Sequence, residues 1–204
     1  MNEERKENWF VVAIVVTVII STVVPVFIIL YTFISTYDSI VDLKVNVKLA
    51  EANVESMMEN RMLLIPDLVK VVEKYSDYEK EIFENIENTR ADLERCLGSN
   101  NPSEVNEANI QLSIAINDLL TEARKYPTLT SGKQYTALMD SLESSVNKIT
   151  TARTQYNKMV ALYNKKVTTF PGNIIAAIYS FEEIEEFKAD DKAKATEIVD
   201  FNNK

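Results

Sequence analysis

Histidine is absent from the 204 residues, cysteine occurs once and glycine only three times. Without histidine there is no imidazole for acid–base work, for a nucleophile relay or for a zinc site. A lone Cys96 excludes an intrachain disulfide framework. It also lacks the partner that would activate a thiol. Gly98, Gly132 and Gly172 are too dispersed to build a phosphate-cradling loop. The fourth absence is local: no charged residue occurs from Trp9 to Tyr37.

That last gap is the most informative. Trp9–Ile34 is apolar and, at ~1.5 Å rise per residue, reaches roughly 39 Å, more than the ~30 Å hydrocarbon core. Tilt absorbs the surplus. Trp9 and Phe10 stand at one edge and Tyr31 and Tyr37 near the other, where amphipathic rings favour the interface. Pro25 removes a backbone donor opposite the Ser21 carbonyl, so a mild kink is expected, with the Ser21 and Thr22 hydroxyls helping to re-satisfy the backbone. A cleaved signal peptide has a shorter apolar region and a small-residue cleavage site. Here the run ends in Thr-Phe-Ile-Ser-Thr-Tyr, so an uncleaved span from Trp9 to Ile34 is expected. Arg5 and Lys6 precede it and Lys44 and Lys48 follow, a balance that leaves orientation open.

Beyond the span the chain is acidic. Setting aside Glu3, Glu4, Glu7, Arg5 and Lys6, the 31 acids and 22 bases leave 28 against 20. Such a surface disfavours nucleic acid, and no nucleic-acid partner is expected. Long glycine-free intervals between Pro66, Pro102, Pro127 and Pro171 favour helices. Ile40, Leu43, Val47, Ala50, Val54 and Met57 recur at steps of three and four, so the first helix is expected to continue from the membrane to about Asn60. Pro66 suits the first turn of a second helix, with Ile65, Leu68, Val72, Tyr75, Ile82, Ile86 and Leu93 on one face interrupted by Glu79. After the Gly98–Pro102 turn, Ser103, Asn106 and Glu107 offer helix-start chemistry. The helix that follows presents Val105, Leu112, Ile116, Leu119 and Ala123.

The clearest pattern comes after Gly132. Tyr135, Leu142, Ile149, Tyr156, Tyr163 and Phe170 lie at strict seven-residue intervals, with Met139, Val146, Val160 and Val167 as a companion row and Arg153 its polar member. Core packing explains this aromatic stripe better than a ligand box. Asn173–Phe181 reads as a short last helix with Ile174, Ile175, Ile178 and Phe181 inward. The fold class expected is all-α: a transmembrane helix continuing into an antiparallel bundle of about four long helices. The expected divisions are a tail at 1–8, the span at 9–34, the bundle at 35–187 and a mobile tail at 188–204.

Among polar positions, Glu182–Glu186 reads as a solvated charge run, without the spacing of a calcium loop. Arg153 is expected to pair with an acid on another helix or to stack on rings such as Tyr156. Asn157 and Asn164, seven apart, suit inter-helix hydrogen bonds or a small polar contact surface. The Ile65–Leu68 and Phe170–Asn173 turns are expected at one end of the bundle. No catalytic, metal or cofactor site emerges, and no two acids take a convincing catalytic spacing.

Several separated motifs coincide with a family pattern. Arg61-Met-Leu-Leu-Ile-Pro66-Asp67-Leu-Val69 resembles the R-x-x-L-I-P-N-L-V segment of the LemA family, with Asp67 in place of asparagine. Tyr126-Pro127 with Leu129 is similar to its A-Y-P-x-L turn. Ala152-Arg153, Tyr156-Asn157 and Tyr163-Asn164 resemble its A-R-x-x-Y-N-x-x-V-x-x-Y-N helix, and Phe170-Pro171 with Asn173-Ile174-Ile175-Ala176 resembles F-P-x-N-L-I-A. Phe187 and the closing Val199-Asp200-Phe201 fit its usual end. The resemblance covers about residues 35–201. It implies a bacterial single-pass protein of the cell membrane, with the N-terminus outside, the helical domain in the cytoplasm and no established enzymatic activity. Because some relatives are encoded near membrane peptidases, it makes such an enzyme a candidate partner beside the lipid bilayer itself and a second copy of the chain. The reading of function is a membrane-anchored, non-enzymatic scaffold or adaptor, with a sensor relaying through the first helix as the alternative.

Overall fold

The computed structural model describes residues 3–75, 80–99 and 101–187, and the side chains at 9 and from 14 onward within them. Side-chain expectations at Phe10, and those at Glu79, the tail from 188 and Val199–Phe201, lie outside the described residues. All regular structure among the described residues is helical: α1 Glu3–Met62, α2 Ile65–Glu73, α3 Lys80–Cys96, α4 Pro102–Ala123, α5 Pro127–Thr130, α6 Lys133–Thr168 and α7 Gly172–Tyr179.

α1 is one helix of 60 residues, roughly 90 Å long at the standard rise. Its two halves live in different surroundings. From Ile14 to Thr32 every side chain is exposed, and Phe27, Ile28 and Ile29 have no protein cover. From Thr36 onward one face alone is buried, through Ile40, Val47, Ala50, Val54 and Met58. Leu43 and Met57 flank that stripe half-buried, and Met58 takes the innermost place expected for Met57. A straight helix turns every 3.6 residues, so a strict 3.5-residue stripe drifts off the contact line within a few turns.

Pro25 lies inside the unbroken helix. The nearby hydroxyls bond to the backbone, at carbonyls before Ser21. Ser21 Oγ donates to the Val18 carbonyl at 3.0 Å, and Thr22 Oγ1 donates to Val18 at 2.9 Å and Ile19 at 3.2 Å. Each hydroxyl therefore hides its own donor within the helix, which an apolar medium requires.

α6 is the principal partner of α1 and runs antiparallel to it: Asn53 and Met57 share a groove with Thr151 and Lys148, while Ile40 meets the chain just beyond the end of α6. Tyr135, Leu142, Ile149, Arg153, Tyr156, Val160, Tyr163 and Val167 are buried along it. Phe170 departs from this seam and is 78% exposed, because α6 ends at Thr168 and the heptad geometry ends with it. α3 and α4 form the second large pairing, with Ile86, Leu93, Leu112, Ile116 and Leu119 enclosed.

The stripe expected from Ile65 to Leu93 as one helical face belongs to two helices, α2 and α3. Tyr75, placed inward by that single-helix register, is 44% exposed beyond the end of α2. Pro66 does occupy the first turn of α2. Asn101, rather than Ser103, caps α4 by accepting from the Glu104 amide at 3.2 Å. The Gly98 amide donates to a Glu55 carboxylate oxygen at 2.7 Å, tying the α3–α4 turn to α1.

The two proline turns stand at opposite ends of the bundle, against expectation. Ile65 follows the far end of α1, whereas Gly172 packs at Ile40, and the 22 residues from Ile40 to Met62 span about 33 Å of helix. Gly172 is needed there: a Cβ would come within 2.0 Å of the Lys166 carbonyl oxygen. Of the apolar residues expected inward on α7, Ile175 is buried, Phe181 half-buried, and Ile174 and Ile178 are 48% and 60% exposed.

This division of α1 has a direct consequence. Met58→Ala is expected to cost ~2–5 kcal/mol of bundle stability as a core truncation. Leu49→Ala, on the exposed face, should change it by less than about 0.5 kcal/mol. Denaturant titration in detergent micelles followed by circular dichroism measures both; equal losses would contradict the one-sided packing.

Candidate functional site

The polar residues inside the bundle converge on two structures. The first lies where α1 ends. The Arg61 guanidinium is buried, and its Nη1 donates to Asn109 Oδ1 at 3.2 Å and to Ser113 Oγ at 2.9 Å on α4. The Ser113 hydroxyl donates in turn to the Asn109 carbonyl at 2.8 Å. Burial, and then the positive charge of nearby Arg153, lower the Arg61 pKa to about 10. It remains a cation at neutral pH. Neutral oxygens solvate this charge, so the node fixes α4 against the end of α1.

The second structure is a strap. Residues 181–187 leave regular secondary structure and run along α6. Asn164 Nδ2 donates to the Ile184 carbonyl at 2.8 Å, and the Ile184 amide donates back to Asn164 Oδ1 at 2.9 Å. Asn157 repeats the pattern with Phe187, at 2.8 and 2.9 Å. A primary amide offers a donor and an acceptor side by side, so each asparagine pairs with one residue's backbone as a neighbouring strand would. Seven residues apart on a helix, the two amides lie on one face about 10.5 Å from each other along the axis.

Tyr156 adds a fifth bond, its hydroxyl donating to the Glu185 carbonyl at 3.1 Å. The Phe187 ring is buried edge-on against Tyr156, with centroids 5.0 Å apart, and the Arg153 guanidinium lies 5.1 Å from the Phe187 centroid. Arg153 thus stacks on a ring, as one of the two expected arrangements has it, but on Phe187 rather than Tyr156. Ser103 of α4 donates to a Glu185 carboxylate oxygen at 2.8 Å, so the strap bridges α4 and α6. Burial, and then the surrounding carboxylates of Glu51, Glu185 and Glu186, push the Tyr156 phenol well above its ordinary range. The Tyr163 phenol is raised in the same direction by burial and then by Glu182. Both remain neutral, as structural hydrogen-bonding groups.

The remaining motif residues do not join this assembly. Asp67 is exposed and pairs with Lys70 at 3.5 Å. Phe170 and Asn173 are exposed at the opposite turn, beside half-buried Pro171. An open groove of about 740 Å³ between α1 and α6 is lined by Asn53, Met57, Asp140, Glu143 and Lys148 among others. Its acids include Glu143 but not Asp67. No group of histidine, cysteine and acidic residues among the described residues could hold a metal ion. Cys96 is half-buried, its thiol pushed up by burial and then by Glu104.

The sequence pointed to the asparagines but not to what they hold. Their seven-residue spacing was legible; the segment they grip has no periodicity of its own. Asn157→Ala is expected to speed hydrogen exchange at the Phe187 amide by roughly 10–100-fold, with less effect at Ile184, and Asn164→Ala to do the reverse. Unchanged exchange at both amides would show that the strap is held by something else.

Comparison with known proteins gives the family. The family model described as the LemA family matches residues 50–201. Similar curated proteins include magnetosome proteins MamQ 1 and MamQ 2 of Paramagnetospirillum magneticum, each 26% identical over 67% of this chain and 59% of their own length. MamQ of Magnetospirillum gryphiswaldense is 25% identical over 67% of this chain and 58% of its own. The chain thus spans less than two thirds of the relatives it matches. The match takes in the end of α1 from residue 50, the Arg61 node, α6 and its asparagines, and the strap: the chain belongs to the LemA family.

Proposed function

We propose that this protein is a membrane-anchored scaffold or adaptor that presents a rigid helical bundle to a protein partner close to the bilayer. The observation that carries the reading is the single helix α1, which is uncharged and exposed on every side from Ile14 to Thr32 and supplies a core face of the bundle beyond that stretch. No flexible connection separates anchor from bundle, so the bundle surface is held at a restricted height and angle. The open groove between α1 and α6, toward the end of α1 away from the span, supports contact with a partner segment. The side chains gathered inside the bundle have structural tasks, and this supports binding rather than a reaction. The relatives' names record a location, the magnetosome, and no chemistry. By family resemblance the bundle is assigned to the cytoplasmic side, with a membrane peptidase or a second copy as candidate partners. A relay through α1, the alternative reading, would require a second packing of α1 against α6.

Crosslinking in native membranes followed by mass spectrometry tests the reading. The expected result is recurrent crosslinks from Lys148, in the groove, to one partner or to a second copy. Recovery of monomer alone under several crosslinking chemistries would contradict it.

A further inference from the structure

The chain has a second charge-free stretch. Val167–Phe181 carries no acid or base, in a chain of which 26% is charged, and it contains α7. This segment is not a core element. Phe170 is 78%, Ile174 48% and Ile178 60% exposed, and the three stand at successive steps of four residues. Gly172, Ile175 and Ala176 occupy the buried side. Ile174 and Ile178 therefore stand one turn apart on α7, and with Phe170, exposed in the turn before it, they form an apolar ridge that the bundle leaves uncovered.

Its position along α1 identifies what covers it. Gly172, at the start of α7, packs on Ile40, and Tyr179, at its end, packs on Tyr37 with ring centroids 4.8 Å apart. Tyr37 is only three residues beyond Ile34, about 4.5 Å past the apolar run. If α1 crosses a bilayer, α7 lies at the level of the headgroups. Basic residues share that level: Lys44 has its Nζ 5.4 Å from the Phe181 ring centroid, and Lys165 and Lys166 close α6 just before the turn.

We propose that the Phe170–Ile174–Ile178 ridge is an interfacial membrane-docking face, inserted into the lipid headgroup and upper acyl region beside the span. It rests on the reading of α1 as a membrane span. The ridge and α1 then contact the bilayer at two separate lines, and together they fix the rotation of the bundle about α1 as well as its height. An uncharged helix with apolar side chains on one side and lysines nearby has the chemistry of a lipid interface. A water-facing ridge of this size would have no reason to exclude charge.

The test uses the full chain with Cys96→Ser, reconstituted in phosphatidylcholine vesicles. A fluorophore sensitive to polarity is attached, one at a time, at Ile28→Cys, Ile174→Cys, Ile178→Cys and Gln134→Cys, and quenched by lipids spin-labelled near the headgroup. The proposal expects quenching at Ile28, Ile174 and Ile178 roughly threefold or more above that at Gln134, which sits at the far end of the bundle. Quenching at Ile28 with Ile174 and Ile178 no different from Gln134 would overturn the docking face while leaving the span intact. Water exclusion at Ile174 and Ile178 without lipid quenching would assign the ridge to a second protein chain and overturn the proposal. Absence of quenching at Ile28 would overturn the span and the docking face together.

Discussion

Everything in this structure depends on the backbone of α1 remaining one helix across the boundary between its two environments. In the first half, backbone groups pair along the helix, and Ser21, Thr22 and Thr32 return their hydroxyl donors to carbonyls about one turn earlier. In the second half, the same helix must present one face to α6 and α4. No glycine interrupts α1 and its single proline lies well before the transition, so nothing in the covalent chain permits a hinge there. The bundle inherits its height above the bilayer from this one element.

The rest of the bundle is organised around the partner of that helix. α6 lies antiparallel to α1 on one side and holds the strap on the other, using residues of the same seven-residue repeat. Tyr156 and Tyr163 face the core, while Asn157 and Asn164, each one step further round, reach the backbone of 184 and 187. A Tyr-Asn pair repeated after seven residues therefore does two tasks: the ring packs and the amide clasps. Arg61 and Arg153 bring charge into the same interior, one solvated by Asn109 and Ser113, the other stacked on Phe187. Removing the partners of such groups leaves a buried cation, which is why these sites specify arrangement more than they add stability.

Much of this was legible in the sequence, and the exceptions have physical causes. The long apolar stretch of α1, its continuity into the bundle and the α6 seam follow from charge exclusion and from 3.5- to 3.6-residue periodicity, signals that local sequence carries directly. The α2–α3 boundary was not legible, because Ile65, Leu68, Val72, Ile82, Ile86 and Leu93 happen to stay near helical register across a break. The strap was missed because a segment held by side-chain amides needs no pattern of its own; the information sits on α6, twenty to thirty residues earlier. The orientation of Ile174 and Ile178 was misread because an apolar residue was assumed to face protein. Near a bilayer, that assumption fails.

The central claim is the rigidity of the connection between anchor and bundle, and it is tested most directly by a distance. Spin labels at Ile28→Cys and Lys48→Cys, in a Cys96→Ser background in lipid nanodiscs, flank the boundary and are separated by 20 residues of α1. Pulsed electron spin resonance should give one narrow distribution centred near ~30 Å, as uninterrupted helix requires. A broad distribution, or one centred well below that distance, would show a hinge at the membrane surface and contradict the account.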